Sequence, residues 1–114
     1  MVQTGTFTTG ITNESGAACR EFILHERTFR NTLELANDPD MNTELLTDRS
    51  YYDAAVLSKR LKVAGITKLT PEMVLDLDGD DGDILATSLM ELDKRRSEFR
   101  REQQAAQETA AGAA

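Results

Sequence analysis

The sequence predicts an α+β fold, an N-terminal β-hairpin packed on a small bundle of about four helices, with a disordered C-terminal tail. Three observations predict it. Residues 4–25 hold two extended-favouring runs around a short turn that contains a glycine. From Thr28 onward apolar residues recur at helical spacing, interrupted by Pro and Gly. Aromatic residues make up only 5% of the chain and Trp is absent, so the core must come mainly from aliphatic side chains, which suits helices packed on helices. The length of 114 residues has room for one domain over 1–104, with the hairpin in 1–26, the helical body in 27–104 and the tail in 105–114.

The first strand is expected over Thr4–Thr12, which carries Phe7 and Ile11, and the second over Ala17–His25, which carries Cys19, Phe22, Ile23 and Leu24. Asn13-Glu14-Ser15-Gly16 joins them as a turn whose glycine can take positive φ. Because an isolated hairpin is marginal in water, one of its faces should lie on helices. Thr28 is suited to N-cap a short first helix with Phe29, Leu33 and Ala36 on its buried side, ended by Asn37-Asp38-Pro39.

A second, longer helix is expected from about Thr43 to Ala64, burying Leu45, Leu46, Tyr51, Tyr52, Ala55, Val56, Leu57 and Leu61, with Gly65 as its C-terminal cap. Thr70-Pro71-Glu72 opens a third, brief helix through Met73, Val74 and Leu77, which Gly79 and Gly82 should break. The last helix should begin in the acidic run Asp80–Asp83 and reach about Gln104, with Leu85, Leu89, Leu92 and Phe99 along one stripe. The acids would then lie at its positive end, and Lys94, Arg95, Arg96, Arg100 and Arg101 toward its negative end, with Glu91 and Arg95 as an i,i+4 pair. The Ala-rich residues 105–114 have almost nothing to bury.

The net charge of −7 opposes binding to phosphate backbones and anionic membranes, and no apolar run approaches the roughly 20 residues of a membrane helix. With one cysteine, Cys19, no internal disulfide can form, and no charged-then-apolar leader opens the chain; a reducing cytoplasm is expected.

Few residues invite chemistry. Asp76, Asp78 and Asp80 have the spacing that begins a calcium loop, but the sixth position, where that loop needs glycine, is Asp81, and the twelfth, where it needs glutamate, is Thr87. The run reads better as a joint whose carboxylates cap the next helix, with no metal or cofactor expected. Cys19 and His25 share strand parity if the hairpin alternates regularly, yet one Cys and one His do not assemble a zinc set, so a buried thiol and an exposed imidazole are expected. The basic residues 94–101 are interleaved with Glu98 and flanked by Glu91 and Glu102, without aromatic stacking partners, which argues against nucleic acid. No phosphate loop, nucleophile elbow or catalytic triad is legible.

Three stretches carry a resemblance to a known family. They are Glu21–Arg30, where a strand runs into a polar helix entry; Leu57–Ile66, a helix and its following turn; and Lys68–Leu77 followed by Asp81–Leu85, a short helix and then an acidic entry into a last helix. In this order they resemble the tail assembly chaperones of long-tailed bacteriophages, in particular the Mu-like tail assembly proteins. The resemblance implies a non-enzymatic protein of the host cytoplasm that binds the tape-measure protein and assists assembly of the tail-tube protein around it. The alternative is a minor structural component of the virion, such as a head–tail connector or tail completion protein. A calcium- or nucleic-acid-binding module is a further rival. The partner surface is placed on Leu85, Leu89, Leu92 and Phe99, a stripe that a plain core also explains. Pairing through an exposed hairpin edge makes a homo-oligomer a further expectation.

Overall fold

The structure, a computed structural model, describes residues 1–113, with side chains through residue 108. The expected hairpin is present: β1 (Val2–Thr12) pairs antiparallel with β2 (Ala18–His25). Asn13 builds the turn, its Oδ1 accepting from the backbone N–H groups of Ser15 (3.0 Å) and Ala17 (3.0 Å).

A third strand, β3 (Leu61–Val63), lies where the sequence suggested the end of a long helix. It pairs with β2 so that Leu24 faces Leu61 and Phe22 faces Val63, giving the order β1-β2-β3. Leu61-Lys62-Val63 has the buried, exposed, buried alternation of a strand, while Leu57 and Leu61 also satisfy helical spacing. What decides between the two readings is the second edge of β2, whose backbone groups need a partner. Gly65 therefore does not cap a helix. It takes φ +93° in the turn after β3, where a Cβ would come within 2.7 Å of Cys19 Sγ.

Helix α1 (Phe29–Ala36) follows β2, and the backbone N–H of Thr28 donates to Asn31 Oδ1 (2.8 Å) at its start. A single 3₁₀ turn at Leu45–Thr47 precedes α2 (Arg49–Arg60), whose N-cap Asp48 accepts from the Tyr51 N–H. Thus the expected Thr43–Ala64 helix is shortened at both ends. In α3 (Pro71–Leu75) the Thr70 hydroxyl accepts from the Met73 N–H, as the capping signal implied. Gly79 and Gly82 do not break α3, which stops at Leu75; both lie within α4 (Gly79–Ala113).

The main core joins Phe7, Ile11, Cys19, Phe22 and Leu24 of the hairpin to Leu61, Val63, Leu69, Leu85 and Leu92. Phe7 and Phe22 stack with centroids 4.5 Å apart. A smaller core of Leu35, Met41, Tyr51, Ala55 and Val56 ties α1 to α2.

Helix α4 continues past the expected end near Gln104 and is helical through Ala113. Residues 105–108, expected to belong to a disordered tail, are helical instead; they are exposed, as their composition implied, and their helical backbone follows from the propensity of alanine. At 35 residues α4 is about 50 Å long. It stretches the molecule to 61 × 32 × 21 Å with a radius of gyration of 17.0 Å, against about 13 Å for a compact domain of this length.

Truncating a side chain in the buried part of α4 should therefore cost far more than truncating one in its projecting part. Leu92→Ala is expected to lose about 3 kcal/mol in urea denaturation, and Phe99→Ala less than about 1 kcal/mol.

Candidate functional site

Two members of the acidic run have defined structural tasks: Asp78 Oδ2 accepts from the Asp80 N–H (3.3 Å) at the start of α4, and Asp81 reaches across to the hairpin. Between the pairs Thr6–Glu21 and Ile11–Cys19 the hairpin register shifts, so β1 carries three more residues than β2 across this stretch. Such a bulge takes backbone N–H groups out of the ladder. The Asp81 carboxylate, fully buried in the first turn of α4, collects them: Oδ1 accepts from Thr8 N (2.6 Å) and Oδ2 from Gly10 N (2.8 Å), with Thr9 N shared at 3.3 and 3.2 Å. Gly10 sits at φ +83°, where a Cβ would strike the Cys19 carbonyl oxygen at 2.5 Å.

Burial acts to raise the Asp81 pKa, but the N–H donors of Gly10, Thr8 and Thr9, helped by Arg20, outweigh it and hold the carboxyl below its ordinary range. Asp81 is thus not a capping or dipole residue alone; it ties a helix to a strand. Its neighbours Asp76, Asp78, Asp80 and Asp83 are exposed. Among the described residues, no group of three or more His, Cys, Asp or Glu is placed to hold a metal ion.

A second carboxylate cluster braces the loop after α1. Lys59 Nζ donates to Asp38 (2.6 Å), and Lys68 Nζ bridges Asp38 (3.3 Å) and Asp40 (2.5 Å). The Lys59 hydrogen bond, aided by the Asp40 N–H and by Lys68, holds Asp38 down to about 2. Hydrogen bonds to Asp40 and Asp38 raise the Lys68 pKa in turn.

Cys19 is buried beneath Gly65 and His25 is exposed, because the register shift ends the regular alternation that would have given them one parity. The His25 carbonyl accepts from Arg60 Nε (3.0 Å). Arg60 is buried, and desolvation lowers its pKa.

The basic residues of α4 lie well before its end, so the helix dipole does not account for their placement. Arg95 donates to Val2 O (2.9 Å) and Gln3 Oε1 (2.7 Å), and Arg96 lies 3.4 Å from Glu26, which also pairs with the N-terminal amine. The expected Glu91–Arg95 pair is replaced by a bridge: Gln3 Nε2 donates to Glu91 (2.8 Å) while its oxygen accepts from Arg95.

The proposed partner stripe divides. Leu85 and Leu92 are buried in the main core and Leu89 packs against it, so only Phe99, 49% exposed, is open to a partner. Met90 is 73% exposed. On α1, Phe29 and Leu33, expected inside, are 74% and 46% exposed, while Asn31 and Leu35 face the body. Two positions apart, Leu33 and Leu35 point to different sides of the helix, and packing against α2 selects the side of Asn31 and Leu35. Among the described residues, no helix is long and apolar enough to cross a membrane.

Comparisons with family models, with curated proteins and with solved structures returned no match.

The two low carboxyl pKa values give stability a defined acid dependence. A group whose pKa is lower folded than unfolded stabilises the fold above its unfolded value and loses that contribution as pH falls through the folded one. The contribution of these two carboxylates should therefore be level above about pH 4 and fall below it, with the Asp38 part lost by about pH 2. Asp81→Asn, which keeps one acceptor and loses the charge, is expected to cost about 2–4 kcal/mol at pH 7 and to flatten the fall below pH 4, read by urea denaturation across pH.

Proposed function

We propose that this chain is a non-enzymatic assembly chaperone of long-tailed bacteriophages, which binds the tape-measure protein in the host cytoplasm and assists assembly of the tail tube around it. Support comes first from the sequence resemblance, whose three stretches fall on the junction of β2 with α1, on the end of α2 with β3, and on α3 with the start of α4. The structural observation that carries the reading is the apolar edge of α1. Phe29 and Leu33 lie one turn apart and face solvent on an acidic protein.

Such an edge can take the apolar face of an amphipathic segment from a long helical partner, while the net charge of −7 keeps the complex dispersed. Phe99, on the projecting part of α4, offers a further apolar contact. The interaction surface proposed here is thus centred on Phe29 and Leu33, with Phe99, rather than on the leucines of α4.

Projection of α4 beyond the body also suits a minor virion component that contacts neighbouring subunits. Mass spectrometry of purified particles separates the two readings, because an assembly chaperone is absent from finished particles and a structural component is retained.

Co-expression with the tape-measure gene of the same phage, followed by pull-down, tests the proposal directly. The expected outcome is a soluble complex that Phe29→Ala/Leu33→Ala weakens at least about tenfold, equivalent to about 1.4 kcal/mol, with the melting temperature of the isolated protein nearly unchanged. Failure of the wild-type chain to bind or solubilise the tape-measure protein would overturn it.

A further inference from the structure

The side of α4 that points away from the core carries a regular pattern. Asp80, Asp83, Thr87, Met90, Lys94, Ser97 and Arg101 follow one another at alternating steps of three and four residues, and all seven are exposed. They therefore share one face of the helix, on which Met90 is the apolar member. This face lies opposite Asp81, Leu85, Ser88 and Leu92, which are buried against the hairpin and the main core, so the body leaves it open along its length.

The face is acidic at its start, apolar at Met90 and basic at its far end. Among the described residues, the side chains of Asp80, Asp83, Lys94 and Arg101 make no ion pair and no hydrogen bond. They cannot neutralise one another within the molecule, since a straight helix holds Asp80 and Arg101 about 30 Å apart. Reversed about Met90, however, the pattern is its own complement. In an antiparallel pair Asp80 meets Arg101, Asp83 meets Ser97 with Lys94 and Arg101 a turn to either side, Thr87 meets Lys94, and Met90 meets Met90. Glu91, the carboxylate next to the centre, is drawn back to the body by Gln3.

We propose that two copies of this chain pair through the outward seam of α4, antiparallel and two-fold symmetric, with the Met90 side chains on the axis. The contact is isologous: each copy supplies the same patch, and each end of the seam closes with an acid from one copy and a base from the other. The contact uses neither Phe29 nor Leu33, so its test stands apart from that of the chaperone reading.

Charge exchange tests the pairing. The wild-type chain is expected to be dimeric by sedimentation velocity at submillimolar concentration and moderate salt. Asp80→Lys/Asp83→Lys alone and Lys94→Glu/Arg101→Glu alone should each be monomeric, because each then opposes like charges at both ends of the seam. An equimolar mixture of the two variants should recover a heterodimer, in which both ends again join opposite signs. Orientation is read by oxidative cross-linking, for which buried Cys19 does not compete: Met90→Cys should give covalent dimer, and Ser97→Cys, whose copies lie about 20 Å apart in the antiparallel pair, should not.

A monomeric wild-type chain would overturn the proposal. So would charge-reversed variants that remain dimeric, a mixture that does not recover the dimer, or efficient cross-linking through Ser97→Cys. Circular dichroism of each variant verifies that loss of the dimer is not loss of the fold.

Discussion

The carboxylate of Asp81 is the point at which the hairpin and the long helix become one structure. The bulge in β1 turns the N–H groups of Thr8, Thr9 and Gly10 out of the ladder, and three part-buried donors without an acceptor would be costly. Asp81 supplies both of its oxygens from the first turn of α4, where the helix dipole also favours negative charge. One side chain thus satisfies the strand and sets where the helix begins. From that point the helix has little freedom: Leu85 and Leu92 enter the core below the sheet, and Gln3 with Arg95 ties the next stretch to the start of β1.

Fixing the inner face of α4 also fixes the outer one. Because α4 is anchored at Asp81, Leu85, Leu92 and Arg95, the residues on its far side face solvent in one unbroken row, and beyond Arg96 the helix leaves the body altogether. A rigid rod of this length keeps opposite charges apart that a flexible segment would let collapse onto each other. The exposed carboxylates of Asp80 and Asp83 and the cations of Lys94 and Arg101 further along are therefore available to other molecules. The α1 edge is available for a different reason. Its helix is amphipathic, but α2 covers only the side that includes Asn31 and Leu35.

Where local chemistry decides the structure, the sequence was readable. The Asn13 turn, the Thr28 start of α1, the Thr70-Pro71 start of α3 and the acidic start of α4 each depend on residues within a few positions of one another, and each is found where expected. The readings that failed were those in which two local patterns competed. Leu61-Lys62-Val63 satisfies both a helix and a strand, and the open edge of β2 selects the strand. Phe29 with Leu33 and Leu35 with Asn31 lie on different sides of α1, and the position of α2 selects the side of Leu35 for burial.

By itself, the sequence determined the fold class, the hairpin, the starts of α1, α3 and α4 and the acidic, aliphatic character of the chain, because these follow from propensity, capping and periodicity over short spans. Only the tertiary structure decided what Asp81 binds, since its donors lie 71 to 73 residues earlier in the chain and are created by a bulge that no local pattern announces. It also decided that Leu85 and Leu92 are core while Met90 and Phe99 are surface. A periodic stripe specifies that one side of a helix is apolar; which residues on that helix meet a partner depends on how far the rest of the protein extends alongside it, and α4 is longer than the body on which it rests.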